Sequence, residues 1–229
     1  MILRNSFLFD KCDNNFHNIS KMNNSLYIEY GCGWCAPQGW RNFDSSPTLR
    51  FERFPLMGKL YKKNESRFPK NVEYGDIVNG LSIPPNSCKG VYCSHVLEHL
   101  SLEDFRSALK NTNRMLQIGG IFRFVLPDLE YLVKQYIDNP SQDAALLFMK
   151  NTMLGHEKRK RGLKGLIFSW LGNSQHLWMW DYKSIEVELR NTGFVQIRRA
   201  FRGDYSDNKF QEVENMERWN NCLGVECKK

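Results

Sequence analysis

The sequence predicts a doubly wound α/β fold, a mostly parallel sheet of about seven strands with helices on both faces. Three observations predict it. From about residue 25 onward, short β-rich runs alternate with helical ones. Most of the early runs stop at a glycine or an acid, and residues 90–126 read as a compact βαβ unit. At 229 residues, 41% hydrophobic and 25% charged, the chain has the size of one domain, 1–229, with room for an inserted cap.

Leu26–Tyr30 is a β-rich run that stops at Gly31-Cys32-Gly33. Trp40–Asp44 is a second, ending in an acid, and Val72–Tyr74 is a third, ending at Gly75-Asp76. Gly90–Cys93 is the fourth strand. A helix from about Leu102 to Leu116 follows, with Leu102, Phe105, Leu109, Thr112 and Leu116 spaced by threes and fours. Ser101, with Glu103 and Asp104 behind it, supplies the helix start. Gly119-Gly120 is expected to end that helix and open the strand Ile121–Leu126, which Pro127 halts. A helix at about Leu129–Ile137 comes next, then a stretch at about 138–180 that resists assignment to the sheet and is read as the cap. It contains a basic run at His156–Arg161 followed by an apolar aromatic one at Leu163–Leu171. A solvated turn plus a packed helix is the plain reading of that segment, and contact with a membrane surface or an anionic substrate is the alternative. A helix at Lys183–Asn191 capped by Gly193, a strand at Phe194–Phe201 and a last strand near Leu223–Cys227 close the chain.

Composition narrows the classes. No apolar run reaches 18 residues, and the opening stretch has an arginine inside its short apolar run, which argues against a membrane span or a secretory signal. Thirty-two basic against 25 acidic residues give a net charge of +7, which favours anionic partners in general. No RNP-like or zinc-finger pattern accompanies that charge, so a nucleic-acid partner is not expected. Seven cysteines, an odd count with several in apolar runs, point to a reducing, cytoplasmic compartment. Cys32 and Cys35 have CxxC spacing but no second pair at a zinc-like distance, so no redox or zinc role is expected of them.

In an open parallel sheet, ligands bind beyond the carboxyl ends of the strands, near the point where strand order reverses. The residues there are Gly31–Gly33, Asp44, Asp76, Ser94–His99 and Pro127-Asp128. A glycine turn lets backbone approach a ligand, and an acid can accept two hydrogen bonds from a ribose diol.

The ordered text Tyr30-Gly-Cys-Gly33, Gly39–Asp44, Tyr74–Ile77, Tyr92–Leu100, Arg114–Gly120 and Arg123–Asp128 resembles a class I S-adenosylmethionine-dependent methyltransferase. It is most similar to the small methyltransferases of surface-polysaccharide and lipopolysaccharide biosynthesis, whose ending His176–Asp181, Gly193-Phe194 and Gly224–Lys228 also fit. The resemblance implies a Rossmann-like fold, S-adenosylmethionine as cofactor, and methylation of a sugar or glycan precursor, at oxygen. It places Glu29, Gly31, Cys32 and Gly33 against the methionine moiety, Asp44 on the ribose, Asp76 and Ile77 at the adenine, and Ser94 and His95 beside the sulfonium. A sugar hydroxyl benefits from a general base near neutrality. His95 is the first expectation for that base, His176 the second, and Asp128 would orient acceptor or base.

One departure stands out: only ten residues, Trp34 to Phe43, separate Gly33 from Asp44, and they include Pro37 and Gly39. No helix is expected there, and Trp34 or Trp40 would rebuild the missing wall or serve as plain core. His95, Glu98 and His99 also match the His-x-x-Glu-His order of zinc peptidases and, with His95 for a Glu, the metal site of certain ubiquinone-pathway and small-RNA methyltransferases. Glu98 and His99 equally suit packing and capping, and the expectation is a metal-free enzyme. The other readings are a metal-assisted methyltransferase of a phenolic or nucleic-acid acceptor and a non-catalytic adenosyl-binding scaffold.

Overall fold

A computed structural model describes residues 26–54, 67–155 and 175–229. The basic–apolar segment at 158–171 lies outside the described residues. Seven strands form one sheet: β1 Leu26–Tyr30, β2 Arg41–Asp44, β3 Val72–Tyr74, β4 Cys88–Ser94, β5 Leu116–Pro127, β6 Val195–Ala200 and β7 Cys222–Lys228. Their spatial order is β3-β2-β1-β4-β5-β7-β6. The first five run parallel, and β7 lies antiparallel between β5 and β6. Strand order therefore reverses between β1 and β4, and the carboxyl ends of both open onto one crevice.

Five helices accompany the sheet among the described residues: α1 Pro47–Glu52, α2 Leu102–Met115, α3 Leu129–Ile137, α4 Ala144–Asn151 and α5 Tyr182–Asn191. Each long one starts where a side chain caps it. Ser101 accepts from Asp104 N for α2, Asp128 from Glu130 N for α3, and Asp181 from Ser184 N for α5. α2 ends at Met115, earlier than the glycine pair led us to expect. Leu116 already pairs with Cys88, and the four residues from Gln117 to Gly120 bulge out before Ile121 pairs with Gly90. Gly119-Gly120 thus shapes an irregularity inside β5: Gly119 N donates to the carbonyl of Lys229, and Lys229 N donates to Gly120.

Alternation along the strands divides the core in two. Ile28, Tyr30, Val91, Cys93, Phe122 and Phe124 face α2 and α5, where Phe105, Leu109, Ile185 and Leu189 pack onto them. The opposite face carries Tyr27, Tyr92, Ile121 and Val125, and it packs on Trp40, Phe210, Val213 and Trp219. No helix forms across Trp34 to Phe43, as the sequence predicts. Trp40 fills that space: its ring lies 5.2 Å from Tyr27 and 5.7 Å from Phe210, and its indole N–H donates to Glu212 at 3.2 Å. Trp34 is 54% exposed and stacks on Phe68 at 5.2 Å.

The chain between β6 and β7 is held on this face by Arg123 of β5, which is fully buried. Arg123 donates to Glu214 at 2.6 Å, to Asp204 and Glu226 at 3.0 Å each, and to the carbonyl of Phe201 at 2.7 Å, with Trp219 4.7 Å from its guanidinium carbon. Of the expected cap, the described part holds α4, which packs on α3, and the return through Trp180, which bridges to Asp128. No helix among the described residues is long and apolar enough to cross a membrane.

Candidate active site

The crevice begins at Gly31. Its φ is +66°, and a Cβ placed there would lie 2.2 Å from Val96 Cγ2, so the turn after β1 fits against Val96, two residues beyond β4, only as glycine. Gly33, with φ +56°, donates its N–H to Asp44 Oδ2 at 3.0 Å, while Ser46 N donates to Oδ1 at 2.7 Å. Asp44 thereby ties the glycine turn to the end of β2. Its carboxylate oxygens each keep a lone pair for a further donor. Gly75 N donates to the carbonyl of Asp44, which brings the Asp76 turn alongside. Asp76 accepts from Val78 N at 2.9 Å and from the Asn79 amide at 2.6 Å.

Two of the expected residues contribute backbone only. Cys32 packs its thiol among Leu49, Phe68 and Val72, and Ile77 is part of the main core. Burial raises the thiols of Cys32 and Cys35, so neither is a reactive thiolate near neutral pH.

Glu29 is 4% exposed, and its Oε2 has no hydrogen-bond partner. Burial lifts its pKa to about 8, with Arg218 pulling the other way. Ser94 Oγ is likewise buried and unpartnered. Two orphaned polar groups at the adjacent carboxyl ends of β1 and β4 are what a polar ligand in this crevice would satisfy. Arg218, from a 3-10 turn between β6 and β7, donates to the carbonyl of Ser94 at 3.1 Å. Sequence reasoning missed it, because a single arginine in a polar loop carries no local signal.

A pH dependence follows from Glu29. The folded state holds a proton that the unfolded chain releases above pH 4.5, so this group lowers stability progressively as pH rises from about 4.5 to about 8. Glu29→Gln removes that cost. Its Tm, measured without ligand, is expected to gain on the wild type across this window and to level off above it. A constant difference across the window would refute the buried, protonated state.

His95 does not share a helical face with Glu98 and His99 as its spacing allows. It sits at φ +54° ahead of a 3-10 turn, Leu97–His99, with its N–H donated to Val125. Both ring nitrogens are engaged, Nδ1 with Glu98 Oε1 at 3.1 Å and Nε2 with the carbonyl of Arg218 at 2.9 Å. Burial opposes protonation, but the contacts with Cys222, Glu98 and Arg218 outweigh it and raise the pKa to about 10. In this arrangement the imidazole carries its proton, and the expected base is occupied.

His176 lies against Glu98 and His99. It is 8% exposed, with Nδ1 2.8 Å from the carbonyl of Thr152, and burial lowers its pKa. Its ring centroid lies 5.0 Å from that of His99. Asp128 caps α3 and faces Arg199 at 3.5 Å. The structure therefore gathers Glu29, Gly31–Gly33, Asp44, Asp76 and Ser94–His95 at the carboxyl ends of β1 to β4, with Asp128 at the end of β5 capping α3 and His176 beside Glu98 and His99.

Residues 28–124 match the family model of a methyltransferase domain. Among solved structures, an S-adenosylmethionine-dependent methyltransferase from Archaeoglobus fulgidus is 17% identical, covering 93% of this chain and 90% of that one, with a TM-score of 0.48. One from Thermotoga maritima is 14% identical, covering 93% and 86%, with a TM-score of 0.49. One from Mesorhizobium loti is 14% identical, covering 93% and 95%, with a TM-score of 0.47. No curated protein matches the chain.

Proposed function

We propose that this protein is an S-adenosylmethionine-dependent methyltransferase, a reading that the methyltransferase-domain match over residues 28–124 supports, and that it methylates a hydroxyl of a sugar or glycan precursor. The observation that carries the cofactor's place is the pair of orphaned groups, Glu29 Oε2 and Ser94 Oγ, flanking the glycine turn at the point where strand order reverses. Bound S-adenosylmethionine supplies an electrophilic methyl group on a sulfonium.

The residues of the chain bind and align. Glu29 suits the ammonium of the methionine tail, since a cation beside a buried carboxylate restores its charged form. The Gly31–Gly33 backbone lies against the same moiety. Asp44, already anchored by two N–H donors, accepts the ribose hydroxyls on its remaining lone pairs. Asp76 meets the adenine. Much of the rate then comes from holding an acceptor oxygen in line with the methyl group in a crevice that excludes water. For His95 to take the hydroxyl proton, its imidazolium must first release the Nε2 proton to solvent as the acceptor displaces the Arg218 carbonyl there, while Glu98 keeps hold of Nδ1.

Support for a sugar acceptor comes from Trp178. It is half-exposed, and its N–H donates to the carbonyl of Glu98 at 3.2 Å, next to the turn that carries His95. An indole face there suits the apolar face of a pyranose ring. The segment 138–180 would be the part that selects the acceptor.

S-adenosylhomocysteine at about 100 times its dissociation constant is expected to stabilise the fold by roughly 2.7 kcal/mol. Asp44→Ala should lose most of that gain, as read by thermal unfolding with and without the ligand. A folded wild type that shows no shift would sink the cofactor assignment. Transfer of labelled methyl to a panel of nucleotide sugars and lipid-linked sugars tests the acceptor. Labelling of phenols or RNA instead would overturn the sugar reading.

A further inference from the structure

We propose that Glu98, His99 and His176 form a binding site for one divalent transition-metal ion of the zinc class, a set that differs from the His95-Glu98-His99 pattern readable in the sequence. One ligand atom from each of the three lies within 4.8 Å of the others. Three observations support it against the sequence expectation of a metal-free enzyme.

The first is the state of Glu98. It is 0% exposed, its Oε1 is taken by His95, and its Oε2 has no partner. A carboxylate oxygen left bare in the interior costs free energy unless a cation or donor meets it. The second is the way the two imidazoles are held. His99 Nδ1 lies 2.9 Å from the carbonyl of Gln175, and His176 Nδ1 lies 2.8 Å from that of Thr152. A carbonyl only accepts, so each Nδ1 carries a hydrogen, and Nε2 is then the nitrogen through which each ring would bind a metal. Histidines that bind metal are oriented in this manner, by donating the other ring N–H to a carbonyl.

The third is the scaffold. Leu177 N and Trp178 N donate to the carbonyl of Glu98 at 2.8 and 3.2 Å, so the return segment is fastened to the turn that supplies the other two ligands. The Thr152 hydroxyl, bonded to the carbonyl of Phe148 at 2.8 Å, fixes the end of α4 that orients His176.

Two imidazoles and a carboxylate suit Zn²⁺, Co²⁺ or Mn²⁺ better than the oxygen-seeking Mg²⁺ or Ca²⁺. Bonds of about 2.0–2.2 Å would ask the three side chains to close by roughly an ångström. Three protein ligands leave a coordination position for water or a substrate oxygen. Through the two oxygens of Glu98 the ion would be one carboxylate away from His95 at the crevice.

Co²⁺ titration of the whole chain, followed by its visible d–d absorption, tests the site without cofactor or acceptor. Its failure therefore leaves the methyl-transfer reading untouched. The expected result is one Co²⁺ per chain, displaced by Zn²⁺, with no thiolate charge-transfer band in the near ultraviolet. His176→Asn, His99→Gln and Glu98→Gln should each weaken binding at least about tenfold, since even partners of metal ligands are worth 10–100-fold. A variant of Cys32→Ser with Cys35→Ser should bind as the wild type does. Metal-free unfolding curves identify any variant that fails to fold, and the remaining variants then carry the comparison. A wild type that takes up no Co²⁺ at millimolar concentration would overturn the proposal, leaving the cluster satisfied by a proton. A thiolate band lost in the cysteine variant, or affinity indifferent to all three ligand substitutions, would overturn it too.

Discussion

Arg123→Met is expected to destabilise the protein by about 3–5 kcal/mol, because it leaves buried carboxylates without their counter-ion. Arg123 is 0% exposed, and of its partners the side chains of Glu214 and Glu226 are 3% and 4% exposed. Glu226 keeps Arg198 and Ser206, but among the side chains Glu214 is left without its cation. In a chain of this size the loss corresponds to a Tm lower by roughly 6–20 °C. Arg123→Met combined with Glu214→Gln should recover part of it, since the double change removes the charge that the single one strands. The effect reaches the crevice, because the same network holds the segment between β6 and β7 that delivers Arg218 to Ser94. Loss of stability below about 1 kcal/mol on chemical denaturation would show that Arg123 is not the clamp described here.

The second large effect is at Gly31. Gly31→Ala carries roughly 1–2 kcal/mol for an L-residue in the left-handed region and about 1–3 kcal/mol more for overpacking against Val96. Gly33 has a positive φ as well, but nothing lies within 4 Å of its absent Cβ, so Gly33→Ala should show the smaller conformational cost alone. Val96→Ala added to Gly31→Ala removes the Cγ2 atom at fault and should restore stability by more than the sum of the single changes predicts. The response to S-adenosylhomocysteine should follow the same order, with Gly31→Ala the weakest binder. Equal costs at Gly31 and Gly33 would mean that the turn after β1 is not wedged against the chain following β4.

Much of the fold is legible in the sequence because the signals are local. β1 and β3 fall at the expected bounds, α3 spans the expected residues, and α2 begins behind Ser101. Period-two alternation, a capping serine or aspartate and a halting proline act within a few residues of where they stand. The end of α2 is not read correctly, because a glycine pair signals a turn without saying which element it interrupts. The pairing of Leu116 with Cys88 decides that β5 has already begun.

The crevice at the strand ends is legible for a related reason. Residues just after parallel strands of a doubly wound sheet must come together, so Glu29, Gly31, Asp44, Asp76 and Ser94 can be assembled from strand ends alone. The polar clusters deeper in the molecule cannot. Arg218 reaches Ser94 and His95 from a loop far along the chain, and His176 meets Glu98 and His99 across the return from α4. The sequence by itself determined the order of the elements, the glycine turn and the acids at the strand ends, since backbone sterics and short-range periodicity set these. Only the tertiary structure decided that His95 is held between Glu98 and Arg218, that Trp40 fills the space of a missing helix, and that His99 and His176 gather beside Glu98. Those contacts join residues far apart in the chain, and such pairings are fixed by how the packed faces meet, which no local pattern encodes.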